Sequence, residues 1–224
     1  ETEGREAARD QARKAFTLLA ALAIPASIGL AFIASPLAHL MIGESLRAET
    51  AHALPWLALA GLISGFNLYY WSEAFQLTRR TGLRALLMLA PGAVQLALTF
   101  TLASTHGAAG AAIAAAAGAG LGAVLLAGFG RRLIALPIAW GALSRIAFAA
   151  ALMAGALVLI GPGQGVLHLA LMISAGAGAY GAGALFTDLL GARAFASAVL
   201  QALWRKLRVS IQSLFTDSAN ARPL

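Results

Sequence analysis

The chain has 224 residues, of which 60% are apolar and only 11% charged. A water-soluble domain draws on roughly 25% charged residues to cover its surface, so the composition excludes an ordinary soluble fold and points to a membrane. The net charge of +7 would suit a nucleic-acid partner, but the charges lie in short clusters between apolar blocks. With no cysteine, disulfides and thiolate metal sites are excluded.

The opening "ETEGREAARDQARK" (residues 1–14) carries charges of both signs and reads as a cytoplasmic segment. It is not a signal peptide, which needs a short basic start and then an apolar core. The chain reads as the C-terminal part of something longer. Six apolar blocks follow, each near the roughly 20 residues that a helix needs to cross the hydrocarbon core. They cover residues 15–42, 53–77, 83–102, 108–129, 143–160 and 166–190. The expected fold is therefore all-α: a polytopic membrane helical bundle of six transmembrane helices with an amphipathic C-terminal helix.

Pro25 in the first block removes a helix hydrogen bond and predicts a bend there. "SPLAHLMIGE" then reads as the end of that span, with a glycine marking the exit. The second block is the most polar. It carries Asn67, Tyr70, Glu73 and Gln76, and ends in the basic turn holding Arg79, Arg80 and Arg84. Charge inside a membrane is costly and marks function, so Asn67, Tyr70, Glu73 and Gln76 are candidates for substrate contact or ion coupling. Three-residue spacing predicts Asn67 and Tyr70 on one face. Glu73 has two readings: it pairs with Arg79, Arg80 or Arg84 at the interface, or it couples ions or substrate. The arginines are either topology determinants or attract an anionic head group. In the third block Gln95 is the deep polar residue, bonded to a neighbouring helix or to substrate.

The fourth block, entered through "STHG", is built from glycine and alanine. Gly110, Ala114, Gly118 and Gly122 recur every four residues, a ridge that lets helix backbones approach closely. "GAGLGA" and "GAGAYG" match a dinucleotide fingerprint only on paper. No strand precedes them, and no acid follows the first at the required distance. The sixth block repeats the small-residue device with Ser174, Gly178 and Ala182, and with Gly176, Tyr180 and Ala184 beside them. His39, His52, His106 and His168 fall near the outer ends of the spans without paired carboxylates, so no metal is expected. No nucleophile–base constellation is present. The chain is expected to be no enzyme and to hold no cofactor.

Orientation follows from the basic residues. Of the 16, only Arg47 lies in a connector of the opposite parity; the others precede the first block, follow the sixth, or occupy the second-to-third and fourth-to-fifth connectors. Because Lys and Arg are retained in the cytoplasm, both ends of the chain are placed there, and the net charge is accounted for without nucleic acid. The tail "RAFASAVLQALWRKLRVSIQSLF" puts Phe195, Val199, Leu203, Leu207, Ile211 and Leu214 near one helical face. It reads as a basic helix lying on the cytoplasmic leaflet or packing on the protein.

Three motifs in order carry a resemblance: "LAIPASIGLAFIASPLAHLMIGE", "AFQLTRRTGLRALLMLAPGAVQLALTFTL" and "THGAAGAAIAAAAGAGLGAVLLAGFGRRLIALP". Over residues 7–137 the chain resembles the C-terminal half of bacterial polysaccharide (lipid-linked oligosaccharide) flippases of the multidrug/oligosaccharidyl-lipid/polysaccharide exporter superfamily. Thr105 and His106 stand where that family usually has a proline and an aromatic. The resemblance implies alternating access in the bacterial inner membrane. The substrate would be an undecaprenyl-diphosphate-linked oligosaccharide, and polysaccharide polymerisation proteins would be partners beside membrane lipid. It divides the chain into a charged segment (1–14), the last four helices of the second lobe (15–130), an additional pair (131–190) and a tail (191–224). An ion-coupled multidrug or metabolite exporter of the same superfamily is the nearest alternative. An integral-membrane glycosyltransferase or polymer ligase is the alternative of another class.

Overall fold

In the computed structural model the chain is helical almost throughout, with no strand among the described residues. These are residues 2–194 and Ser197, with side chains from Arg9 onward; the expected amphipathic tail lies outside them. Helices α1 (Thr2–Phe32), α2 (Ala34–Met41) and α3 (Glu44–Phe66) lead into a π-helical segment (Asn67–Trp71) and the short α4 (Glu73–Leu77). Then come α5 (Thr81–Leu133), α6 (Trp140–Ile160) and α7 (Val166–Phe186). Five helical stretches are long and apolar enough to cross a membrane, as a chain this poor in charge requires.

The 53 residues of α5 would measure about 80 Å as one rod, far more than the ~30 Å hydrocarbon core. Gly107 breaks the rod: its φ of 56° and ψ of −138° are not helical, and a side chain is strained there. The two arms fold back on each other. A Cβ on Gly110 would fall on the Leu102 carbonyl, and one on Gly118 would come within 2.7 Å of Gln95 Cβ. One on Gly122 would come within 2.9 Å of Met88 Cε. Gly110, Ala114, Gly118 and Gly122 are all buried in this seam, so the predicted ridge is the contact face of a helical hairpin. Glu49 of α3 accepts a hydrogen bond from the Ala108 amide, satisfying one of the free donors that open the second arm.

The hairpin packs on α3, and α1 bridges α3 to the antiparallel pair of α6 and α7. In that pair a Cβ on Gly183 would come within 2.8 Å of Ala149 Cα, and Gly176 faces Leu157. Here the expected small-residue device is only half realised. Gly176 and Gly183 are buried against α6, whereas Ser174, Gly178 and Ala182 face away from the described residues. The helix period of 3.6 residues allows one such line to meet a single neighbour.

Helix α1 runs through Pro25, and the chain leaves helical geometry at Ile33 (φ −86°, ψ 4°). Pro36 then falls in the first turn of α2, where a missing N–H removes no helix bond. One further expectation is corrected: Asn67 and Tyr70 do not share a face. The π segment is closed by the Ser72 amide bonding the Asn67 carbonyl, five residues back, at 3.2 Å. In the wider π turn, residues three apart drift further round the axis than in an α-turn. Asn67 meets α5, while Tyr70 meets Phe16 of α1 and donates to the Pro137 carbonyl at 2.7 Å.

Candidate functional site

A cleft of about 350 Å³ opens between α3 and the two arms of α5. Ser64 and Asn67 line it from α3 and the π segment, Arg84 and Gln95 from the first arm, and Gly118 and Gly122 from the second. Three of the residues singled out in the sequence, Asn67, Arg84 and Gln95, thus come together although up to 28 positions separate them. The others do not join them. Tyr70 is buried in the core formed by α1, α6 and the Leu136–Ala139 connector. Gln76, Arg79 and Arg80 are exposed outside the cleft. Glu73 is half-buried and forms no ion pair; among the described residues the only ion pair is Arg47 with Glu44, at 3.5 Å. The expected pairing of Glu73 with Arg79, Arg80 or Arg84 is therefore not formed.

Local structure explains the placement of Asn67. Its Nδ2 donates to the Ala119 carbonyl at 2.9 Å, so the residue is tied across to the second arm. That contact needs a glycine opposite: a Cβ on Gly122 would approach Asn67 Nδ2 to 3.1 Å. Gly122 therefore serves the site as well as the helix seam, a role that a four-residue repeat of small side chains does not distinguish. Asn67 is 9% exposed, and its Oδ1 has no hydrogen-bond partner. The Arg84 Nε is likewise buried without a partner. Buried polar atoms left unpaired are uncommon and costly, and both of these belong to one cleft. No acid lines it. Its electrostatics are those of one guanidinium among neutral amides and a hydroxyl, in apolar walls of Leu68, Met88, Pro91 and Leu126.

A second cavity, about 470 Å³, lies where α1 meets α6 and α7. It is walled by Leu22, Pro25, Gly29, Met153, Leu157 and Gly176 among others, and Tyr180 is its main polar residue. The Tyr180 hydroxyl is itself committed, donating to the Ala21 carbonyl at 2.8 Å. The occupant of such a groove would be apolar. No group of His, Asp or Glu among the described residues is arranged to hold a metal ion.

Comparison with protein-family models, with curated proteins and with solved structures finds no match for this chain.

Proposed function

We propose that the chain belongs to a transporter that flips a lipid-linked oligosaccharide, of the undecaprenyl-diphosphate type, across the bacterial inner membrane by alternating access. Six spans are assigned: α1 with α2, α3 through α4, the two arms of α5, α6 and α7, with both ends of the chain in the cytoplasm. The observation that carries the reading is the apolar groove at the α1–α6–α7 junction. It is lined by the C-terminal part of α1, from Ala21 to Ile33, within the apolar stretch of the proposed first span, and offers a soluble drug or metabolite almost nothing polar to bind. A substrate that is part isoprenoid and part polar suits a molecule with this groove on one side and the Arg84 cleft on another. The order of motifs over residues 7–137 supports the same substrate class.

Deletion of the gene tests the reading. Lipid-linked oligosaccharide should accumulate on the cytoplasmic leaflet while surface polysaccharide falls, and the intact gene should restore export. Normal polysaccharide export with increased sensitivity to cationic drugs would replace the flippase by a multidrug exporter.

A further inference from the structure

Both arms of α5 end at the face of the bundle opposite Gly107, the face that the proposed orientation puts in the cytoplasm. A trough of about 400 Å³ lies there, between α1, the end of α4 and the connector from α5 to α6. It is lined by Arg9, Ala12, Leu77 and the run from Leu133 to Pro137. We propose that this trough docks an acidic amphipathic helix of a partner protein. Its floor is fixed without a partner. Pro137 disfavours helical geometry in the residue before it, and Ile134 is already extended (φ −144°, ψ 124°). Leu133 and Leu136 pack against the buried cluster of Phe75 and Leu126. The Tyr70 hydroxyl holds the Pro137 carbonyl at 2.7 Å. With these anchors in place, Leu77 and Ile134 stay 62% and 37% exposed.

The rim decides the sign of the occupant. Arg9 lines the trough, Arg80 closely follows Leu77, and Arg131 closely precedes Leu133. All three are exposed, and none pairs with an acid among the described residues. Arg132 is turned aside, over the Phe129 ring at 5.5 Å. Orientation in a bilayer calls for arginines at this face, but not for an apolar trough among them. A helix with large apolar side chains along one face would fill the floor, and carboxylates beside that face would meet the arginines. A nucleic acid would match the arginines and leave the floor uncovered. The chain's own tail has the wrong sign: beyond Ser197 its charged residues are Arg205, Lys206, Arg208 and Arg222 against Asp217 alone. The inference does not rest on the transport reading.

Docking can be measured apart from export. The purified full chain in phosphatidylcholine nanodiscs would be titrated with a fluorescent peptide of about five helical turns, roughly 18 residues, with leucine on one face and glutamate on the other. Binding would be read by fluorescence anisotropy against empty nanodiscs. One control peptide has the same residues in scrambled order, and a second has lysine in place of glutamate. The ordered acidic peptide should bind about tenfold more tightly than the scrambled one, since only it presents an apolar face. The lysine peptide should bind no better than to empty nanodiscs, and added salt should weaken the acidic peptide. Ile134→Gln and Leu77→Gln should each weaken it by about fivefold. Arg9→Glu should shift preference towards the lysine peptide, a gain that misfolding cannot imitate. Equal binding of the ordered and scrambled peptides, or unchanged binding in Ile134→Gln, overturns the proposal. So does complete displacement of the peptide by phosphatidylglycerol in the nanodisc, which would assign the trough to anionic lipid.

Discussion

Proline at position 25 removes the amide hydrogen that the Ala21 carbonyl would otherwise receive within α1. In a membrane no water replaces it, so the protein must. The Tyr180 hydroxyl does so from α7, at 2.8 Å, and one residue thereby joins the two helices. Tyr180→Phe should cost about 1 kcal/mol, seen as a lower midpoint of thermal unfolding in detergent with the amount inserted unchanged. Arg79 is a second case. It closes α4 in left-handed geometry (φ 57°), with its own amide bonding the Gln76 carbonyl and the Arg80 amide bonding the Phe75 carbonyl. Glycine normally takes that place. Arg79→Gly should stabilise the helix end by about 1 kcal/mol, read as a raised unfolding midpoint. If it also yields a fraction of inverted molecules, the side chain is retained for its charge. On the proposed transport reading, Glu73, half-buried and without a basic partner among the described residues, is a candidate for coupling. Glu73→Gln should then reduce export towards the level of the deletion strain with insertion intact, and full activity would remove that role.

The elements cohere through close backbone approach more than through large side chains. In lipid, helices gain nothing by burying apolar area against each other, so contact area and polar bonds must hold them. The α5 hairpin shows this most directly. Gly110 faces the Leu102 carbonyl with no room for a methyl group, and backbone cannot yield as a flexible side chain can. Gly110→Ala should destabilise by about 1–3 kcal/mol, the usual range for overpacking, and reduce the folded yield. Gly120, with open space around it, is the control: Gly120→Ala should be neutral or mildly stabilising. The Glu49 carboxylate at the Ala108 amide clamps the same turn from α3. Together these contacts hold Gln95 opposite Gly118, and so shape the cleft.

At the scale of the whole molecule, the proposed orientation puts the turn at Gly107 outside the cell and the turn at Arg79 inside. The chain has no cysteine, so single substitutions report position without background. Thr105→Cys should react with a membrane-impermeant maleimide in intact cells. Thr78→Cys should react only after permeabilisation. The reverse pattern would invert the topology. The cleft and the apolar groove share no lining residue, which leaves room for one amphiphile to engage both or for each to hold a different ligand.

The membrane class, the helical class and the small-residue ridge of α5 were legible because they depend on composition and local period alone. So was the candidacy of Asn67, Arg84 and Gln95, since polar groups within apolar blocks stand out wherever they finally point. What they point at was not legible. The π segment turned Tyr70 away from Asn67, because one extra residue per turn is set by tertiary contacts to Ala119 and Pro137 and not by any local signal. Nor was it legible that Tyr180 from α7 would bond the Ala21 carbonyl that Pro25 leaves without its amide partner. Local sequence determined which segments enter the bilayer, through the transfer cost of polar groups. Tertiary structure alone decided which of the polar groups within them meet, because that depends on how helices distant in the chain are turned about their axes.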